Sequence, residues 1–224
     1  MLTAAQIAVL ESELHKTQPD LFVFFKNNQE FIQGSICLRS DSGEEIGRYF
    51  IEIMIPREYP RRMPVVKETG NKIPKISDRH INLKDGSACV IHEEEWFLEF
   101  GNISSIVKFI NTYVYNFFIS QKYFEIKKEW VYGQWAHYSE GKVEFYTNFL
   151  KILFYDKDLL LNLTEHYLLN NKLNELVFCY CKNGLTFMHC KEHYEKIKLL
   201  HNNVPVNVIM DGVAAIKEYC SYSK

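Results

Sequence analysis

The sequence lacks an apolar stretch long enough to cross a bilayer. Its longest apolar region, residues 103–119, is interrupted by serine, lysine and asparagine, and it is shorter than the roughly 20 apolar residues that a spanning helix needs. Residues 1–16 also lack the basic start of a signal peptide and turn acidic at Glu11. We therefore expect a cytoplasmic protein without a membrane partner.

The chain also lacks a strong net charge. Its formal charge is −2, which argues against a protein that binds nucleic acid by neutralising phosphates, so we expect no direct nucleic-acid partner. The sequence contains no internal repeat, no low-complexity tract and no glycine-rich nucleotide loop. With 47% hydrophobic and 24% charged residues it has the balance of a globular chain, and 224 residues suffice for a medium domain with an appendage.

Cysteine is better represented, with six residues. Without an export signal these thiols are expected in a reducing compartment, where free thiols or metal ligands are favoured over disulfides. Cys37, within a strand-like pattern, and Cys220, near the end of the sequence, have no chemistry-bearing neighbours, and we interpret them as packing residues. The functional predictions below concern the other four cysteines.

The pattern of apolar residues predicts the α+β class. Apolar residues at helical spacing predict a first helix over residues 3–16. Four runs rich in β-branched and aromatic residues follow, separated by turn-forming residues, and they predict an antiparallel meander. Because the strands are grouped rather than alternating with helices, the class is α+β. The predicted strands are 21–26, 31–39, 47–55 and 65–68, and the later helices are 102–118, 139–155, 158–170 and 207–220.

Cys89 lies in a stretch of little periodicity, residues 70–100. Long ordered loops in compact domains are usually functional. Gly86 and Ser87 allow a tight turn that exposes the residues after it. A thiolate is a strong nucleophile, so Cys89 is a candidate catalytic residue, and a small apolar packing cysteine is the alternative.

Residues 1–135 contain several ordered landmarks: Tyr59-Pro60, Pro64-Val65, His80-Ile81-Asn82, Gly86-Ser87-Ala88-Cys89 and Trp96. In this order they resemble the ubiquitin-conjugating enzyme family. The resemblance implies the ubiquitin-conjugating-enzyme fold, with an N-terminal helix, a four-stranded antiparallel meander, an active-site loop and C-terminal helices. The chain departs from the family where Ile81 replaces a proline, and where seven rather than eight positions separate Asn82 from Cys89.

The resemblance implies a thioester transferase. Cys89 would hold the C-terminus of another protein and pass it to a nucleophile. Asn82 would either stabilise the oxyanion or brace the loop. His80 or His92 would either assist deprotonation near neutral pH or hydrogen-bond the loop.

Charges near Cys89 oppose one another in the sequence. Arg79 and Lys84 favour the thiolate, whereas the acidic run at residues 93–95 opposes it. The direction of the pKa shift stays open at this point.

The segment at residues 129–146 is similar to the bacterial branch of this family. Those bacterial proteins occur beside cGAS-like nucleotidyltransferases in CBASS anti-phage operons, or beside ubiquitin-like proteins in conjugation operons. The resemblance therefore implies that the partner is a cGAS-like nucleotidyltransferase or a ubiquitin-like protein, engaged through its C-terminus. A non-catalytic adaptor with a zinc knuckle is the alternative from another functional class.

A second set of cysteines predicts a zinc site. Cys179-x-Cys181 and Cys190-x-x-His193 supply three soft ligands and an imidazole, which suit tetrahedral zinc. The spacing resembles the SEC-C zinc motif, although Lys191 occupies the place of the fourth ligand of that motif. The fourth ligand is then His193 or His189, and His193 is favoured because it starts a helical turn after Cys190.

Four protein ligands would make this zinc structural, and a reduced cysteine cluster without metal is the alternative. We predict two domains, a ubiquitin-conjugating-like domain at residues 1–155 and a helical zinc-binding appendage at residues 156–224.

Overall fold

The computed structural model describes residues 3–100, 105–131, 136, 138–152, 156–169 and 178–221. These residues form an α+β structure with one four-stranded antiparallel sheet, as predicted. Contacts divide the chain into two compact units, Met1–Ile91 with Asn102–Gln134 and His92–Gly101 with Trp135–Lys224. The proposed domain boundary at residues 155 and 156 stays a prediction.

The first helix, α1 (Ala4–Leu14), lies within its predicted range. Thr3 caps it: the Thr3 hydroxyl accepts a hydrogen bond from the Gln6 amide at 3.3 Å, and the Gln6 side chain accepts one from the Thr3 amide at 2.8 Å. This reciprocal capping box satisfies two amide groups that a helix start leaves without partners.

The predicted meander is confirmed. Its strands β1 (Leu21–Lys26), β2 (Gln29–Arg39), β3 (Glu45–Ile55) and β4 (Val65–Glu68) pair antiparallel in sequence order. The turn between β1 and β2 contains only Asn27 and Asn28, both with positive φ, which is the backbone of the tight hairpin turns that asparagine favours.

One face of the sheet packs against a long helical segment. This segment begins as α3 (Ile106–Phe109), passes through a π-helical turn (Ile110–Val114) and continues as α4 (Tyr115–Lys127). It extends beyond the end predicted at residue 118, whereas its predicted start lies outside the described residues. The shared core includes fully buried Ile32, Ile36, Ile51, Ile53, Val114 and Phe118.

After β4 the chain has less regular structure, but this irregular part ends before residue 100. A 3-10 turn (Ser77–Arg79) precedes Cys89, and a helix, α2 (Glu93–Glu99), follows it. The prediction that residues 70–100 have little regular structure is therefore wrong for α2. This helix is too short to show a 3.6-residue period, yet three glutamates in its first turn favour a helix start, and Trp96 is fully buried.

The second unit is helical. Besides α2 it contains α5 (Tyr138–Leu150), α6 (Lys157–Leu163) with a π-helical turn (Thr164–Leu168), a 3-10 turn (Phe187–His189), α7 (Lys191–Asn203) and α8 (Val206–Ser221). The helices predicted over 139–155, 158–170 and 207–220 are present, but α5 ends at Leu150, before its predicted end. Residues 153–155 and 170 lie outside the described residues. Residues 132–135 and 137, within the segment of bacterial resemblance, also lie outside them.

Two close contacts hold the helices of this unit together. The buried Glu94 carboxylate receives the Lys142 ammonium at 2.7 Å. Gly212 allows α8 to approach Tyr146, because a β-carbon at this position would lie 2.5 Å from the tyrosine ring. In the described ranges, no helix combines the length and the apolar character that crossing a membrane requires.

Candidate functional site

Main-chain hydrogen bonds fix Cys89 from two sides. The amide of Cys89 donates to the carbonyl of His80 at 2.8 Å, and the amide of the preceding Ala88 donates to the carbonyl of Val66 at 2.8 Å. Residues 87–89 therefore lie between β4 and the segment that carries His80. The amide of Cys89 therefore has a main-chain partner, as the amide of a strand residue does.

The side chains of this segment alternate between two faces, as in a strand. Ala88 is buried, together with its neighbours Val66 and Ile81. Cys89 follows Ala88 and is an exposed residue. This exposure excludes the interpretation of Cys89 as a buried packing residue.

A tight turn between Asn82 and Ser87 brings the chain back to Cys89. Gly86 has a φ of 73°, in the left-handed region that favours glycine, and its amide donates to the Asn82 carbonyl at 2.8 Å. The Asp85 carboxylate accepts hydrogen bonds from the Ser87 amide at 3.0 Å and from the Ser87 hydroxyl at 2.7 Å. The turn thus has a defined conformation.

Asn82 braces this turn. Its side-chain oxygen accepts a hydrogen bond from the Lys84 amide at 3.0 Å, and its own amide donates to the Ser87 carbonyl at 2.8 Å. These contacts support the bracing role. The oxyanion role, in which the side-chain NH2 group of Asn82 would donate to the developing oxyanion, stays a prediction.

His80 supports Cys89 with its backbone. Its imidazole is buried and packs edge-on against Trp130, with ring centroids 4.9 Å apart. His92 belongs to the second unit, where burial, aided by Lys142, lowers its pKa to about 4. His92 is therefore neutral at physiological pH. Its role as a base stays a prediction, as does that of the His80 ring.

The electrostatic surroundings of Cys89 favour the neutral thiol. Although the residue is exposed at the surface, the protein around its sulfur desolvates the thiolate, and this raises the pKa of Cys89; the negative charge of Asp85 raises it further. The sequence analysis attributed the opposing charge to residues 93–95 and missed Asp85. The position of Asp85 in the same turn as Gly86 could have indicated its effect on Cys89.

Arg79 anchors the segment before Cys89. Its guanidinium donates to the Gln121 side chain at 2.7 Å, and the Gln121 amide donates back to the Arg79 carbonyl at 2.8 Å. The guanidinium also lies over the Phe124 ring, 4.9 Å from its centroid. Arg79 is buried in these contacts with α4, which is a structural role that the sequence analysis did not predict.

The second unit brings the four predicted metal ligands together. Ligand atoms of Cys179, Cys181, Cys190 and His193 all lie within 4.8 Å of one another. The Cys181 and Cys190 sulfurs are 3.7 Å apart, and the His193 Nδ1 lies 3.4 Å from the Cys190 sulfur. The four groups lie close enough to hold a metal ion, and three thiols with one imidazole are compatible with zinc.

Local structure explains why these ligands meet. The Cys179 amide donates to the Leu185 carbonyl at 2.9 Å, which closes a turn through Asn183 and Gly184. Gly184 has a φ of 78°, in the left-handed region that favours glycine. Asn183 also donates its side-chain amide to the Cys190 sulfur at 3.2 Å, a contact that the sequence analysis missed.

The structure selects His193 rather than His189 for the cluster. The His189 Nδ1 lies 2.7 Å from the Thr186 hydroxyl, and the residue is exposed. His193 is buried at the start of α7, and the backbone of Leu150 hydrogen-bonds its imidazole. Such a bond fixes the orientation of a ligand imidazole.

The protonation of the four groups is shaped by the cluster itself. Burial lowers the pKa of His193 and raises that of Cys179. Burial also acts to raise the pKa of Cys190, but hydrogen bonds from the His193 amide, the neighbouring thiols and the Asn183 amide outweigh it and lower this pKa. Burial raises the pKa of Cys181 as well, so Cys190 is the one thiol of the cluster whose pKa is lowered.

The two remaining cysteines are isolated from this chemistry. Cys37 is buried in β2 and donates to the Glu45 carboxylate at 3.2 Å, and burial raises its pKa. Cys220 is half-buried near the end of α8.

No family model, no curated protein and no solved structure matches this chain.

Proposed function

We propose that this chain is a ubiquitin-conjugating-like cysteine transferase, which carries a protein C-terminus as a thioester on Cys89 and passes it to an amine. The observation that carries the proposal is an exposed thiol held by main-chain hydrogen bonds at the edge of the sheet. A carrier cysteine has to be reachable by donor and acceptor, yet fixed in position for the transfer.

The order of elements supports a ubiquitin-conjugating-enzyme fold for this proposal. A helix, a four-strand meander, a cysteine-bearing segment and further helices follow one another along the chain. This is the order that the resemblance of residues 1–135 implies. The landmarks Asn82 and Cys89 come together at one turn beside β4.

The raised pKa of Cys89 suits a carrier. At neutral pH the residue is mostly a thiol, and this limits its reaction with small electrophiles. A less acidic thiol is intrinsically the stronger nucleophile once ionised, and it is the poorer leaving group. A thioester on Cys89 would therefore persist until a positioned acceptor arrives.

The favoured donor is the C-terminus of a cGAS-like nucleotidyltransferase in CBASS anti-phage defence. This part of the proposal rests on the resemblance of residues 129–146 to the bacterial branch of the family. A ubiquitin-like protein of a bacterial conjugation operon is the alternative donor. Either a partner would activate the donor, or the donor would reach Cys89 in another way, because the sequence itself contains no glycine-rich nucleotide loop.

We further propose that zinc occupies the Cys3His cluster and has a structural role. The donor set is closed, because four protein ligands leave no position for a substrate or water. Zinc would connect the turn around Gly184 to the start of α7, and so stabilise a part of the chain with little core of its own.

A non-catalytic adaptor is the second candidate, and a specific observation favours it. Phe178 and Leu185, beside the Cys3His cluster, are 72% and 46% exposed. Exposed apolar side chains on a rigid turn suit the docking of a partner. In that case the biological function would not require Cys89.

Reconstitution tests the proposed reaction and its donor. The chain would be incubated with a cGAS-like nucleotidyltransferase, its activating enzyme, ATP and Mg²⁺, and the products separated with and without thiol. We expect a thiol-sensitive adduct with the wild type, a thiol-resistant oxyester with Cys89→Ser and no adduct with Cys89→Ala. Cys37→Ala is the matched control and should behave as the wild type. A thiol-sensitive adduct that persists in Cys89→Ala would refute the assignment.

A further inference from the structure

Lys67 lies on the same face of the sheet as Cys89. In β4, Val66 and Glu68 are buried, whereas Lys67 between them is half-buried and faces outward. A β-bridge pairs Lys67 with Ser87 antiparallel, and the neighbouring pair is tied by the bond from the Ala88 amide to the Val66 carbonyl.

The register sets the separation of Lys67 and Cys89. Cys89 follows Ser87 by two positions, so its side chain emerges on the same side as that of Ser87. Lys67 and Cys89 are therefore diagonal neighbours on one face, a relation that places two residues about 7–8 Å apart, with their β-carbons somewhat closer. The flexible four-carbon stem of lysine spans such a gap.

Asp85 lies close enough to both groups to act on each. Desolvation is the larger cause of the raised pKa of Cys89, and the negative charge of Asp85 raises it further. The pKa of Asp85 itself is lowered, mainly by its hydrogen bonds from Ser87 and to a smaller extent by the Lys67 ammonium. A carboxylate fixed by Ser87 would attract the Lys67 ammonium and so hold the amine near this turn.

We propose that Lys67 is an in-chain acceptor of the acyl group carried by Cys89. This inference rests on the proposed function, and it identifies the acceptor as a primary amine. The Lys67 nitrogen attacks the thioester carbonyl, a C–N bond forms and the C–S bond breaks. The Lys67 ammonium first releases one proton to solvent, and its nitrogen loses a second proton as the amide forms. Cys89 leaves as a thiolate and takes up one proton, so the products are an amide on Lys67, a free thiol and one proton in solution.

Lys84 is the matched comparison on the same turn. It is exposed, and its amide is bonded to the Asn82 side chain at the far end of the turn from Cys89. Its side chain is not held opposite the segment of residues 87–89. If mere exposure decided the acceptor, Lys84 would be modified at least as fast as Lys67.

A small thioester tests the inference without the natural donor. The purified full chain would be treated with the 2-mercaptoethanesulfonate thioester of acetyl-Ala-Gly-Gly, which loads thiols by exchange. Intact mass and peptide mapping, before and after excess thiol, would follow the thioester on Cys89 and amides on lysines. We expect the amide on Lys67 to exceed that on Lys84 by about tenfold or more, because a positioned amine reacts at high effective concentration.

The variants separate the possible outcomes. Lys67→Arg should keep the thioester and lose the amide, Lys84→Arg should leave both unchanged, and Cys89→Ala should lose both. A thioester on Cys89 without preferential acylation of Lys67, or acylation of Lys67 that persists in Cys89→Ala, would overturn this inference alone. Failure of Cys89 to accept the acyl group would contradict the proposed function and this inference with it.

Discussion

Cys89 is the one cysteine among the six whose thiol is exposed, and its surroundings differ from those of a protease nucleophile. Reactive cysteines usually lie beside cations that lower their pKa. Here partial desolvation and the Asp85 carboxylate raise it. The residue therefore combines an exposed position with a raised pKa, and this would suit a site that receives an already activated acyl group.

Substituting Asp85 tests this electrostatic account. Asp85→Asn retains an oxygen that can accept from Ser87 but removes the charge, so the thiolate of Cys89 becomes easier to form. We expect alkylation of Cys89 by iodoacetamide at pH 7.5 to accelerate by about two- to fivefold. In the wild type, the rate should keep rising above pH 8.5, where a free cysteine approaches its plateau. Intact-mass kinetics between pH 6.5 and 10 measure both effects.

Asp78→Asn serves as the control for this experiment, because Asp78 is an exposed acid in the preceding turn. It should leave the alkylation rate unchanged. Equal rates for Asp85→Asn and the wild type across this pH range would contradict the role assigned to Asp85.

Sequence reasoning at the residue scale succeeded where chemistry is local. Cys89 and Asn82 lie within one turn, and the four metal ligands lie within fifteen residues, so spacing alone was informative. The contact between Arg79 and Gln121 spans 42 positions, and Lys67 meets Ser87 only through strand pairing. Such non-local partners are selected by the fold, and no pattern in the sequence predicts them.

At the scale of elements, residues 178–190, which carry the three cysteine ligands, bury few large apolar side chains, whereas α7 buries Ile197 and Leu200. Phe187 is fully buried and packs edge-on against Tyr194, with centroids 5.4 Å apart. Most of the other large side chains on this turn are exposed. A metal ion would therefore contribute much of the stability of this region.

Removing one ligand tests the metal site. The purified wild type should contain about one zinc per chain by elemental analysis. Cys181→Ser should reduce this content by about tenfold and lower the Tm by roughly 5–10 °C, because the ligand loss weakens both binding and local packing. Zinc content and thermal unfolding would be measured on protein purified with reductant and without chelator.

His189→Ala is the matched control, since His189 is bonded to Thr186 outside the cluster. It should keep the zinc, whereas His193→Ala should lose it. Wild-type protein without bound metal, or a loss of zinc in His189→Ala equal to that in His193→Ala, would refute the proposed ligand set.

The sequence predicted most elements because their apolar periods are long enough to recognise. The meander and α8 agree with prediction within a few residues. Helix α2 was missed since only seven residues form it, and its start is marked by charge rather than by periodicity. The extension of α4 to Lys127 was missed because its last turns are polar and only weakly amphipathic, so their apolar residues show no clear helical period.

At the scale of the whole molecule, the two candidate sites belong to different compact units. Cys89 lies in the first unit with the sheet, and the Cys3His cluster lies in the helical second unit. Variants can therefore separate acyl transfer from metal binding. The transferase proposal requires Cys89, whereas the adaptor proposal requires only the surface around the cluster.

The most direct test of the transferase proposal is the intact mass of the chain isolated, without thiol, from cells that also express its neighbouring genes. The proposal predicts an adduct on the wild type that equals a protein donor minus one water and disappears on thiol treatment. The same measurement on Cys89→Ala should show the unmodified chain, while Cys220→Ser should show the adduct. An identical thiol-labile adduct on Cys89→Ala, or no adduct on a wild type that retains full biological function, would contradict the proposal.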